Sequence, residues 1–342
     1  MKFCPIHESP SLLIFRPSLQ VFAYFAFAVV TDNFAVVTDK QDSNTDRHPT
    51  GKLNIANLQS KRLAGTIQIY FRAAIQQDCT PSPSETFHHP MLSTAEIEQY
   101  RREGYITPSF RLPESMLSRI RNSHEQLVEK HPEFSDYCPA LLAYDTDFLE
   151  VAKTSEILTM VSQLIGDDIA LWNSSFFAKP ARTGTKTPWH QDGEYWPIEP
   201  LATCTVWIAI DASTPANGCL QVIPGSHRNR TLAQHQRNTA EGLALPLELD
   251  ASTFDESKAV NITLEPGQIS LHDVYLFHGS DANKSEHSRR GMTLRYMPTT
   301  SVYRHADAQN SLGSGKLDLS QRTVYLMKGV DRSGQNDFGK KH

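Results

Sequence analysis

The sequence has no run long and apolar enough to cross a bilayer, no cluster of basic residues and no C-x-x-C pair, and each absence removes a class of function. Five cysteines (Cys4, Cys79, Cys138, Cys204, Cys219) are odd in number and widely scattered. That argues against a disulfide framework or a structural zinc site and fits free thiols in a reducing cytosol, so a cytoplasmic location is expected. The 33 basic and 38 acidic side chains nearly cancel to a net charge of −5. Neither nucleic acid nor a membrane surface is therefore expected as a partner, and a small molecule is the default. Oligomeric state leaves no signature. Residues 12–37 are rich in Phe, Ala and Val, yet Arg16, Pro17 and Gln20 interrupt the start and Asp32 and Asn33 end the apolar run. What remains, 21–30, is too short for a span, and no basic segment leads straight into it as a secretion signal requires.

At 342 residues the chain can bury one large core or two modest ones. Residues 1–90 read as an irregular N-terminal arm of unknown role: 40–90 are polar, with Pro81-Ser82-Pro83-Ser84 near their end, and the short repeat at 28–32 and 35–39 is a single duplication. The folded unit is expected over 91–342. Ser93-Thr94-Ala95-Glu96 is a capping box followed by Gly104, which predicts a helix over 94–103. Pro113 at a first helical position, with Met116, Leu117, Ile120 and Leu127 at helical spacing, predicts a second helix ending before His131-Pro132, and 155–165 form a third.

From Asp168 the period changes to two. Ile169, Leu171, Asn173, Ser175 and Phe177 alternate with their neighbours, and β-rich runs follow at 203–210, 220–223, 260–264, 269–271 and 292–297, separated by Gly- and Pro-containing turns. Helices first and many short strands later predict a mainly β fold with flanking helices: a jelly-roll, cupin-like barrel whose mouth gathers strand ends distant in sequence.

The chemistry concentrates in Trp189-His190-Gln191-Asp192-Gly193. His190 and Asp192, two apart on extended backbone, share a face. His278 lies 88 residues downstream (278 − 190), and Arg289 follows it by 11 (289 − 278). Two histidines and a carboxylate form the facial triad that leaves open positions on non-heme Fe(II) for a co-substrate and O2. A chelating 2-oxo acid such as 2-oxoglutarate leaves a distal carboxylate that needs a buried cation. Arg289 suits it, because guanidinium offers a bidentate fork and stays charged when desolvated. Ser280, on the same face as His278, adds a hydroxyl donor. Arg290 and Arg295 are rivals for the cationic role, and Ser175 and Lys179 alternate toward the same region. His272, beside Asp273, is a second possible metal dyad, and His227 in a Pro-Gly-Ser-His turn is read as a hydrogen-bonding element. Arg182, Lys186, Arg228 and Arg230 are read as solvated surface charges rather than an anion site.

These motifs, together with Lys179-Pro180, Pro188 before the dyad, Trp207, Asn217-Gly218-Cys219-Leu220, Pro224-Gly225-Ser226-His227, His278-Gly279-Ser280 and Asn283, resemble the phytanoyl-CoA dioxygenase family of Fe(II)/2-oxoglutarate oxygenases. The resemblance covers 93–342 and is densest over 171–298. It implies a double-stranded β-helix, His190, Asp192 and His278 as iron ligands, Arg289 as co-substrate anchor, and Ser280 and Trp207 as co-substrate neighbours. Related halogenases replace the carboxylate with a small residue. The presence of Asp192 therefore implies a hydroxylase that converts 2-oxoglutarate and O2 to succinate and CO2. The competing classes are a cupin-like metal-dependent isomerase or hydrolase without the co-substrate, and a non-catalytic barrel.

Overall fold

A computed structural model describes residues 26–29, 35–38, 91–308 and 317–341, and the chain divides into two compact units, Met1–Ser84 and Glu85–His342. In the first unit Ala26–Val29 and Ala35–Thr38 pair antiparallel, with Ala28 opposite Val36 and Val29 opposite Ala35. The expected irregular stretch at 40–90 lies outside the described residues, as does most of the apolar run at 12–37. Among the described residues no helix is long and apolar enough to cross a membrane. Cys138, Cys204 and Cys219 are free and buried.

In the second unit the three helices stand where the sequence places them. Helix α1 (Thr94–Glu103) opens with the reciprocal Ser93/Glu96 capping box and closes at Gly104, whose φ of 84° is left-handed. Helix α2 (Glu114–Lys130) takes Pro113 as its N-cap rather than as its first residue, and its backbone ends by donating from His131 to the Leu127 carbonyl. Helix α3 (Ser155–Ile165) buries Ile157, Met160 and Val161 completely, one stripe of a helix whose opposite side is wet. Each such side chain contributes about 1.5–3 kcal/mol over its exposed state, which is what holds a helix this short.

The rest is antiparallel sheet. Strands β1 (Tyr105–Ile106), β2 (Ile169–Lys179), β3 (Thr187–His190), β4 (Cys204–Ala209), β5 (Leu220–Val222), β6 (Val260–Ile262), β7 (Ile269–Asp273), β8 (His278–Ser280), β9 (Arg289–Pro298) and β10 (Tyr325–Lys328) form two sheets. One has seven strands, in the order β10-β2-β9-β4-β7-β1, with Tyr137–Cys138 pairing onto β2 beside them. The other has four, in the order β6-β5-β8-β3.

Alternation assigns the two faces of the larger sheet. Val206 and Ile208 of β4 and Met292, Leu294 and Tyr296 of β9 join the apolar cluster that takes in the helices. Their neighbours Thr205, Trp207, Arg289, Thr293 and Arg295 line a cavity instead. Strand β2 corrects the simple period-two reading. Ile169 and Leu171 belong to the helix-side core, whereas Asn173 and Phe177, of the same parity, line cavities on the other side. The register against β9 passes from Arg295↔Asn173 to Tyr296↔Leu171, leaving Trp172 without a counterpart. This β-bulge shifts the pleat by one residue, so that Trp172 and Asn173 both face inward.

Candidate metal centre and its cavity

Strands β3 and β8 are antiparallel neighbours in the smaller sheet, and His278 is the direct cross-strand partner of His190. Their rings lie 4.1 Å apart between centroids. Each ring is pinned from behind: His190 Nδ1 meets the Pro188 carbonyl at 2.8 Å and His278 Nδ1 meets the Leu276 carbonyl at 2.9 Å. A carbonyl can only accept, so both Nδ1 atoms carry the proton and both Nε2 atoms present lone pairs. Asp192 follows β3 at the start of a short 3-10 turn (Asp192–Tyr195). Its Oδ1 is 3.7 Å from His190 Nε2 and 3.9 Å from His278 Nε2. The three side chains are buried, and one donor atom from each lies within 4.8 Å of the others.

Gln191 fixes the spacing between the first two donors. Fully buried, its amide donates to the carbonyls of Thr231 and Tyr275 and accepts from the Ala233 amide. The main chain cannot rotate there without breaking three bonds, so His190 and Asp192 are held on one side before any ligand arrives.

The electrostatics suit a cation. Burial by itself would raise the Asp192 carboxyl, yet the close approach of His190 and His272, with His278 and the Arg295 guanidinium nearby, holds it well below the ordinary carboxylate range. Burial, reinforced by His190, pushes His278 well below the ordinary histidine value. An ionised carboxylate and a neutral imidazole are the forms that coordinate metal. The donor set, two imidazole nitrogens and one carboxylate oxygen in a buried pocket, fits Fe(II).

The cavity around this cluster, partly open to solvent, lies between the two sheets and brings together every residue singled out from the sequence as a ligand or co-substrate contact: His190, Asp192, His278, Ser280, Trp207 and Arg289. Arg289 is 2% exposed, bonded through Nη1 to the Phe177 carbonyl and through Nη2 to the Gly218 carbonyl, with Nε left without a partner. Its guanidinium lies 5.4 Å from the centre of the Trp207 ring. Burial lowers it to about 10, so it remains charged at neutral pH. Buried polar groups without partners are rare and expensive, and an unsatisfied guanidinium donor marks a place built for an acceptor.

The rivals separate. Arg290 turns outward to Asp211 (2.8 Å) and Glu125 (3.1 Å) and does not line the cavity. Arg295 does line it, with Nη1 on the Ser175 hydroxyl. Lys179 donates to the Thr185 carbonyl, and burial lowers it to about 7. His227 bonds the Arg101 carbonyl, away from the cluster. Arg182, Lys186, Arg228 and Arg230 engage Glu286, Glu248, the Arg102 carbonyl and Asp273 respectively.

Two participants were not legible as such. His272 does not form a dyad with Asp273: its Nε2 lies 3.6 Å from the second carboxylate oxygen of Asp192, to which Thr205 also donates. Successive residues of a strand face opposite ways, so Asp273 goes to Arg230 while His272 goes inward. Strand alternation along 269–273 is the signal that separates them. Arg322, from a segment beyond the strands that build the site, enters a second cavity bordering Asp192 and carries no local motif.

Comparison with known proteins gives the family. The sequence model of the family described as phytanoyl-CoA dioxygenase (PhyH) matches residues 88–291. A probable phytanoyl-CoA dioxygenase of Caenorhabditis elegans is 28% identical over 236 residues, covering 60% of this chain and 75% of that protein. A probable alpha-ketoglutarate-dependent hypophosphite dioxygenase of Stutzerimonas stutzeri is 26% identical over 182 residues, covering 52% of this chain and 63% of that protein. Among solved structures CytC3 superposes with a TM-score of 0.54 at 27% identity, covering 72% of this chain and 93% of its own.

Proposed function

The chain belongs to the phytanoyl-CoA dioxygenase family, and on that premise we propose that it is an Fe(II)- and 2-oxoglutarate-dependent dioxygenase hydroxylating a small molecule, with succinate and CO2 as co-products. The observation that carries this reading is the convergence of His190, Asp192 and His278 in a cavity that also holds Arg289. The iron, with 2-oxoglutarate and O2, supplies the oxidising chemistry. His190 and His278 would hold it through Nε2, and Asp192 would hold it through one oxygen, the other accepting from the Thr205 hydroxyl.

Arg289 binds the distal carboxylate of 2-oxoglutarate. Its free Nε–H and the unused N–H bonds of its fork provide the donors, and the Trp207 ring keeps the guanidinium plane in place. Ser280, buried on β8 two residues from His278, adds a hydroxyl to the same anion. The two sheets are read as the walls of a double-stranded β-helix barrel within an oxygenase domain spanning 91–342, and they keep bulk water from the oxidising centre.

The test is succinate formation coupled to O2 uptake across a panel of small-molecule substrates with purified Fe(II)-loaded protein. Coupled, substrate-dependent succinate supports the reading. Metal-loaded protein that turns over a substrate without consuming 2-oxoglutarate overturns it in favour of a hydrolase or isomerase.

A further inference from the structure

A second, partly open cavity shares Phe177, Asp192 and Arg295 with the first and runs on toward Trp172, Trp196 and Arg322. Arg289 is not among its walls. It is therefore the space beside the metal ligands that remains once a co-substrate occupies the Arg289 side.

Its charge is unusual. Arg295 and Arg322 are 4% and 5% exposed, and among the described residues neither lies within ion-pairing distance of a carboxylate. Their partners are neutral: Arg295 donates to the Ser175 hydroxyl, and Arg322 donates to the Tyr303 hydroxyl and the Asn173 amide oxygen. Among the described residues, Arg295 Nε and the Trp172 indole N–H have no partner. Among the described residues Asp192 is the only acid in the lining of either cavity. On the proposed reading of the site, a divalent iron, Asp192, Arg289 and a doubly charged 2-oxoglutarate cancel one another. Arg295 and Arg322 are then two desolvated positive charges in one chamber with no counter-charge among the described residues left for them, an arrangement that favours bringing in an anion.

Aromatic faces hold both forks in place. The Arg295 guanidinium sits 5.1 Å from the Trp196 ring centre and 5.8 Å from that of Phe177, while Arg322 sits 5.6 Å from Trp172 and 6.0 Å from Tyr303. The bulge at Trp172 is what turns Trp172 and Asn173 together into this chamber. A stacked guanidinium is pre-organised for bidentate capture of a planar or tetrahedral oxyanion, and the surrounding rings favour an apolar or ring-shaped body.

We propose that Arg295 and Arg322 are specificity-determining residues that bind an oxyanion group of the primary substrate, a carboxylate, phosphonate or chemically similar anion attached to an apolar body. This inference rests on the oxygenase reading for its division of the space, and its test is a binding measurement that does not require turnover. The probes are phenylacetate, phenylphosphonate and the neutral phenylacetamide, titrated calorimetrically into the full chain under anaerobic conditions with Fe(II) and saturating 2-oxoglutarate, so that the Arg289 position is filled.

Both anions are expected to bind at least about tenfold more tightly than the amide, the smallest effect of a charge-assisted bond to a buried guanidinium. Preference for one anion over the other identifies the head group. Arg322→Gln is expected to remove the discrimination, and Arg322→Lys, which keeps the charge, to restore part of it. Absence of discrimination between phenylacetate and phenylacetamide in the unmodified protein, whether both bind or neither does, overturns the proposal without recourse to a variant. So does an Arg322→Gln protein whose 2-oxoglutarate affinity falls as far as its phenylacetate affinity. Failure of the oxygenase reading shows itself separately, as an Fe(II)-loaded protein that does not bind 2-oxoglutarate; the same anion series repeated on the metal-free chain then still decides the role of the two arginines.

Discussion

His278 faces His190 directly across two antiparallel strands, so residues 88 positions apart in the chain (278 − 190) present their Nε2 atoms to the same point. The pairing register, not the surrounding loops, sets that relation, and a one-residue slip would turn one imidazole to the other side of the sheet. The site is therefore as rigid as the sheet that carries it.

The carboxylate completes it. Asp192→Ala removes the sole anionic donor from a buried pocket and is expected to lower Fe(II) or Ni(II) affinity by at least about 100-fold with little change in melting temperature in the absence of metal. His272→Ala, which frees the second Asp192 oxygen from a neighbour at 3.6 Å, is expected to cost about 10–100-fold. Calorimetric metal titration checks both; unchanged affinity in the Asp192 variant would sink the assignment.

Arg289→Gln keeps hydrogen-bonding capacity but loses the charge. Removing the charge facing a buried carboxylate costs about 2–5 kcal/mol, so the KM for 2-oxoglutarate is expected to rise at least about 30-fold. Metal affinity measured without co-substrate should stay as it was, because Arg289 contacts none of the three ligands; its bonds run to the Phe177 and Gly218 carbonyls.

Gly291 lies on β9 against Trp207, and a Cβ placed there would come within 2.1 Å of the indole ring. Gly291→Ala must therefore displace Trp207, whose face supports the Arg289 guanidinium. The expected result is about 1–3 kcal/mol of lost stability together with weaker 2-oxoglutarate binding. A variant that melts lower yet binds the co-substrate normally would separate Trp207 from the co-substrate role.

His124 of α2 is buried against Phe176, with ring centroids 4.3 Å apart, and its Nε2 has no partner. Burial, with the nearby Arg290 charge, lowers it from 6.5 to about 4. Because the folded value is depressed, the unfolded chain takes up the proton first as pH falls. Stability from this group is complete above pH 6.5 and declines down to pH 4, by about 3 kcal/mol in all. Melting temperature against pH should show that slope, and His124→Phe should flatten it.

Local chemistry made much of this legible. The Ser93/Glu96 box, Pro113 and the apolar stripe of 155–165 each specify a helix through contacts within a few residues, and the structure places those helices as expected. The His190/Asp192 pair was legible because residues two apart across the extended Gln191 fall on one side, whereas the interval from His278 to Arg289 crosses an irregular connection and was legible only through the family resemblance. What escaped depends on contacts between remote segments. The bulge at Trp172 arises from the β2/β9 pairing and reverses the inward-facing parity of β2 from Asn173 onward, which no alternation pattern within 169–177 reveals. Arg322 reaches Asn173 from 149 residues away (322 − 173), and nothing in its neighbourhood distinguishes it from a surface arginine. His272 approaches Asp192 rather than its neighbour Asp273, because adjacency in sequence is not adjacency on one face of a strand.

The most direct measurement is an anaerobic titration of Fe(II)-loaded protein with 2-oxoglutarate, followed by visible absorption. A weak metal-to-ligand charge-transfer band that saturates in the unmodified protein, requires far more 2-oxoglutarate in Arg289→Gln and is absent in Asp192→Ala is the expected result. No band at saturating iron and 2-oxoglutarate, in protein shown to bind the metal, would contradict it.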